Sequence, residues 1–166
     1  MSEQNTSFKV AEVPVTWRQA TGDLPDVNVW LALSYKAHPF HARATAYWQD
    51  ACDTHTPLWF CRTTMLALVR LLSQPKLMGA DVLNLLGAMA VYRQWMDTPA
   101  VGLLPEPLGL EEQLQSLLGT DSNPLPNRLW TDALLAATAE TAGLRMVTFD
   151  KDFERFNLSR IEVLAN

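Results

Sequence analysis

The chain has 166 residues, 48% of them hydrophobic and 19% charged, and eighteen carboxylates outnumber thirteen Lys and Arg for a net charge of −5. That length and balance describe one ordinary soluble domain. They exclude a membrane span, which needs ~20 consecutive apolar residues, and a protein that holds nucleic acid by bulk positive charge.

Local phosphate contacts stay open, as do contacts through a metal held by the chain's own carboxylates. Cys52 and Cys61 are too few for a disulfide framework, and with His38, His41 and His55 they show no zinc-ligand spacing. The segment MSEQNTSFKV lacks a basic region followed by an apolar one. A cytoplasmic protein with reduced thiols is therefore expected.

Residues 1–21 are polar without a clear period and read as a flexible arm; residues 22–166 read as one domain. The first strand ends near Pro25, where the ladder loses a donor. Asp26 or Asn28 then caps a helix running into Val29–Leu33. Phe40, Ala44, Tyr47, Trp48 and Ala51 follow at helical spacing. A strand is predicted over Pro57–Cys61 and a helix over Thr63–Ser73, stopped before Pro75. A further helix is predicted to begin near Asp81 and carry Val82, Leu85, Leu86, Met89 and Met96 on one stripe. Ala100–Leu104 reads as a strand, Glu111–Leu118 as a helix, and Gly119–Asn127 as a loop. Thr131 opens an alanine-rich helix to Ala142, with Gly143 as its C-cap residue. Strands follow at Leu144–Phe149 and Ile161–Leu164. Strands alternating with helices imply an α/β fold: a mostly parallel sheet with helices on both faces.

Open α/β sheets bind ligands outside the carboxyl ends of their strands. Asp26 follows the first strand, Asp150 follows RMVTF, Asp152 lies two residues further on, and Asp132 lies in the first turn of a helix. Gathered at one edge, these carboxylates repel one another unless they hold a hard cation such as Mg²⁺ or Mn²⁺. A metal so held can activate water for phosphodiester cleavage. Each residue also has a plainer role: Asp26 as a helix cap, Asp132 as an offset to the helix dipole, Asp150 and Asp152 as an Asx turn.

The stretches LPDVNVWLAL, CRTTMLALVRLLSQP, LWTDALLAATAETAGLRMVTFDKDF and IEVL resemble the PIN domain, and more narrowly the VapC-type toxins. The resemblance covers roughly Leu24 to Leu164. It implies a Mg²⁺- or Mn²⁺-dependent endoribonuclease with Asp26, Asp132 and Asp150 as catalytic acids and metal ligands. It also implies Asn28 as the amide supporting the first acid and Thr148 as the small polar residue before the last. The implied partners are RNA, structured RNA such as tRNA or rRNA included, a cognate antitoxin, and a second copy in a homodimer. Membranes are not among them. The family's remaining acid, a Glu in the helix after the second strand, falls on Met65 here, and no Asp or Glu occurs from Thr56 to Ala80. This departure implies a weaker metal site, a site completed by Asp152, or reduced activity. The alternative is a PIN-like scaffold that binds RNA or a protein without cutting.

Arg62, at the second strand's exit, either contacts a scissile phosphate or forms an intramolecular ion pair. Thr64 either supports the metal through water or caps its helix. His41 reads as a helix-start residue, not as a general base. The six tryptophans are candidates for base stacking, but most read as core or interface. A phospho-accepting receiver domain ranks far behind, since the chain has neither a second acid beside Asp26 nor a lysine near Leu164.

Overall fold

The structure, a computed structural model, describes residues 21–120 and 122–165. Five three- or four-residue strands form one sheet: β1 (Asp23–Pro25), β2 (Leu58–Phe60), β3 (Val101–Leu103), β6 (Arg145–Thr148) and β7 (Ile161–Val163). Their order is β3-β2-β1-β6-β7, and all four pairings are parallel. A two-stranded antiparallel hairpin, β4 (Gly119–Thr120) and β5 (Asn123–Pro124), stands apart within the expected loop. The helices are α1 (Val27–Ser34), α2 (His41–Asp53), α3 (Arg62–Leu72), α4 (Pro75–Met78), α5 (Leu85–Met96), α6 (Leu110–Leu117) and α7 (Trp130–Ala142). Among the described residues no helix is long and apolar enough to cross a membrane. The arm expected over 1–21 lies, apart from Thr21, outside the described residues, and so does Trp17.

Side chains alternate between the two faces of a strand, and this alternation builds two cores. Leu58 and Phe60 of β2 and Val147 of β6 face α1, α2, α3 and α5. Trp59, Leu24 and Met146 face the other way, toward α6 and α7. α7 packs on the sheet with Ala133, Leu135, Ala136 and Ala139 all buried, which accounts for its apolar surface on nearly every side. Trp30 stacks on Phe60 at 3.8 Å between ring centroids, and Trp95 meets both Trp30 and Trp48 edge-on at 5.4 Å. Gly102 is required by packing: a Cβ there would stand 2.6 Å from the Trp59 ring. Gly143 ends α7 at φ 70°, the left-handed conformation that a helix C-terminus takes.

One helix start differs from the expectation. The helix predicted from Asp81 begins at Leu85, because Asn84 accepts a hydrogen bond from the Gly87 N–H at 2.8 Å and is the cap. Asp81 instead closes a 3-10 turn, Gly79–Asp81, and accepts the Tyr35 hydroxyl at 3.0 Å.

Candidate active site

β1 and β6 lie side by side, with Pro25 opposite Val147. The chain leaving β1 makes one more ladder bond, from the Asp26 N–H to the Val147 carbonyl at 2.8 Å. This bond places Asp26 beside Thr148 at the carboxyl end of the sheet. Asp26 is the N-cap of α1: its Oδ1 accepts the Val27 N–H at 2.6 Å. The Thr148 hydroxyl donates to its Oδ2 at 2.9 Å.

Thr148 is fully buried and its hydroxyl is a hub. Besides donating to Asp26 it accepts from Asn28 Nδ2 at 3.1 Å and from the Asp150 N–H at 3.0 Å. One donor and two acceptor sites are all a hydroxyl has, so none is spare. Asn28 Oδ1 in turn accepts the Phe149 N–H at 3.2 Å. The two strand exits are thus tied together through side chains from both.

Asp26 is 5% exposed. Burial pushes its carboxyl up to about 6; the bonds from Thr148 and Val27 oppose that, and the charges of Asp132 and Asp150 add to it. Asp132, half-buried in the first turn of α7, is also raised, first by burial and then by Asp150 and Asp152, against Arg128. Asp150 is exposed and accepts the Asp152 N–H at 2.8 Å, opening a 3-10 helix over Lys151–Phe156. Asp26, Asp132 and Asp150 therefore share one electrostatic neighbourhood. Among the described residues no three His, Cys, Asp or Glu side chains close into a metal-binding cluster. The three aspartates still fit a hard divalent cation: their donors are all carboxylate oxygen, and burial first, with mutual repulsion added, raises two of them.

Asp152 sits differently from the other acids. It is ion-paired with Arg128 at 2.9 Å, and that bond holds its carboxyl below the usual range. Thr64 is fully buried, with its hydroxyl committed to Cys61: it accepts the Cys61 N–H at 3.0 Å and donates to the Cys61 carbonyl at 3.1 Å. It caps α3, and support of a metal through water is not the role this geometry gives it. Met65 is 7% exposed and packs into the core. Arg62 opens α3, exposed and without an ion pair among the described residues, at the rim of a small cavity shared with Glu106, Leu134 and Thr138. His41 starts α2, its Nδ1 2.7 Å from the Ala32 carbonyl. The Arg128–Asp152 pair and the threefold engagement of the Thr148 hydroxyl escaped the sequence, since both join residues from different elements.

The family model for the PIN domain matches residues 24–158. Ribonuclease VapC41 of Mycobacterium tuberculosis is 36% identical over 146 residues, a span of 86% of this chain and 98% of that one. The chain belongs to the VapC-type branch of the PIN-domain family. The resemblance carried by its motifs holds, and so does the α/β fold it implied. This PIN domain also shares its fold with two crystal structures. One is VapC20 of Mycobacterium tuberculosis, described as a sarcin–ricin loop cleaving toxin: TM-score 0.58, 18% identity, covering 82% of this chain and 96% of that one. The other is VapBC2 of Rickettsia felis, bound to a promoter DNA fragment: TM-score 0.64, 12% identity, covering 86% and 98%.

Proposed function

We propose that this VapC-type PIN domain is the ribonuclease toxin of a toxin–antitoxin pair and cleaves RNA in a reaction dependent on Mg²⁺ or Mn²⁺. The observation that carries the reading is Asp26, wired to Thr148, its charge disfavoured first by burial and further by the charges of Asp132 and Asp150. A site that keeps such repulsion in its free state is suited to a cation. Asp26, Asp132 and Asp150 are the residues that would hold it. When bound, a divalent ion supplies Lewis-acid charge at the phosphate and lowers the pKa of the attacking water.

The chain's own residues do the positioning. Thr148 and Val27 fix both Asp26 oxygens, and Asn28 joins the Asp26 turn to the β6 exit. Arg62, exposed at the start of α3 beside the neighbouring strand exit, is the residue that would meet a phosphate. Asp152 is left out of the holding set, because Arg128 occupies it.

The toxin reading carries structured RNA as substrate, a cognate antitoxin as partner, a homodimer, and action in the cytoplasm. VapC41's name and the description of VapC20 support the first. The VapBC2 assembly supports the second. For the dimer, Leu85 and Leu86 of α5 leave an apolar surface open.

The scaffold alternative draws on one observation, the buried Met65 at the family's Glu position. The test is cleavage of labelled structured RNAs by Asp26→Asn, Asp132→Asn and Asp150→Asn. Each substitution is expected to abolish metal-dependent cutting that the wild type performs. Full activity in all three sinks the assignment, whereas a folded wild type that binds RNA and never cuts favours the scaffold.

A further inference from the structure

Resting on the ribonuclease reading, we propose that Trp130 is the platform on which an unpaired base of the substrate RNA stacks beside the cleavage site. Among the described residues Trp130 is the tryptophan that stands in solvent, 52% exposed. Trp30, Trp48, Trp59 and Trp95 all pack into the two cores. Trp130 pairs with no other described aromatic ring. About half of the residue is thus open to solvent, and it opens the same helical turn that carries Asp132.

Its direction follows from helical spacing. Residues four apart share a face, so Trp130 tops a stripe continued by Leu134 and Thr138. Those two residues line the cavity that Arg62 rims. Helical side chains lean toward the N-terminus, which carries the indole past the end of α7. The first turn of α7 thus presents an aromatic face on one side and the Asp132 carboxylate on another. Arg62, without an ion pair among the described residues, lines the cavity that Leu134 and Thr138 also line. Every base offers a π-face to an indole, and single-stranded RNA recognition relies on such stacking.

A protein partner fits this position less well. The flanking Arg128 and Thr131 are exposed and polar. The exposed leucines Leu85 and Leu86 sit on α5, which packs on the opposite face of the sheet from α7.

The experiment takes a stem–loop RNA, selected from a pool with randomised loops for metal-dependent cleavage by the wild type. It compares kcat and KM for Trp130→Ala, Trp130→Leu and Trp130→Tyr, with melting temperature and sedimentation as controls. Loss of stacking is expected to raise KM about tenfold or more in the Ala and Leu variants, with kcat and melting temperature little changed. Tyr is expected to restore most of the loss, since it returns a π-face where Leu returns only apolar area. Wild-type KM in Trp130→Ala overturns the inference and leaves the ribonuclease reading standing. Equal rescue by Leu and Tyr, or a change confined to sedimentation, overturns it in favour of apolar packing against protein. A pool that the wild type never cuts overturns both.

Discussion

Asp26 carries a charge in a place that disfavours one, and that conflict has a measurable sign. A carboxyl whose folded pKa is raised to about 6 keeps its proton in the folded state over a range where the unfolded chain has lost it. Stability therefore falls as pH rises from ~4 to ~6 and stays reduced above that window. Near neutral pH the ionised carboxylate destabilises the metal-free protein by about 2–3 kcal/mol. Asp26→Asn keeps a capping oxygen and removes the charge. Its melting temperature in chelator is expected to exceed that of the wild type at neutral pH, with the gap closing toward pH ~4. Apparent divalent affinity of the wild type is expected to weaken as pH falls through about 6, because the ligand must be ionised. Thr148→Val tests the hub. It removes the donor to Asp26 and the acceptor for Asn28 and Asp150, and is expected to lower metal affinity or activity roughly 10–100-fold. Thr148→Ser keeps the hydroxyl and is expected to recover most of it.

Two further predictions belong to the elements. At the amino end of β1, Asp23 is buried and accepts two hydrogen bonds from Arg145 of β6, at 2.8 and 2.7 Å, and one from the Tyr47 hydroxyl at 2.8 Å. Arg145 also pairs with Glu162 of β7 at 2.8 Å. Arg145→Ala leaves a buried charge with its main partner gone, and denaturant melts are expected to report a loss of about 3–5 kcal/mol. On α3, Met65→Ala is expected to lower stability by about 2–5 kcal/mol through the cavity it leaves. Divalent affinity should hold, since Met65 packs in the core and is not a ligand. Calorimetry with Mn²⁺ separates the two effects.

The elements themselves were largely legible, because their periodicity and caps are local. Pro25, Gly143 and the β2 and β6 runs placed their boundaries to within a residue or two. The start of α5 was not, because Asp81 and Asn84 are both competent caps. Tertiary contact decided between them by giving Asp81 to Tyr35. The 3-10 helix after Asp150 and the hairpin at 119–124 carry no apolar period to read. At the site, Asp26, Asp132 and Asp150 were visible as acids at strand and helix ends. What each one touches was not, and Asp152 shows why: its partner, Arg128, comes from the far side of α7 in sequence.

At the scale of the whole molecule, the parallel sheet is what makes three distant aspartates neighbours. β1 beside β6 joins Asp26 to Asp150, and α7 packed on that sheet brings Asp132 to the same edge. A cation held there binds the folded chain and not the unfolded one, so it stabilises by mass action, about 2.7 kcal/mol at a hundredfold excess over its Kd. The measurement that tests the account most directly is cleavage of a labelled pool of structured RNAs by purified, antitoxin-free protein. It is run in Mg²⁺ or Mn²⁺, in chelator, and in chelator with the metal restored, beside Asp26→Asn. Cutting that needs the metal, returns with it and is absent from Asp26→Asn is the predicted result. Cutting that persists in chelator or in Asp26→Asn, or its absence from a folded protein that binds the same RNAs, would contradict the account.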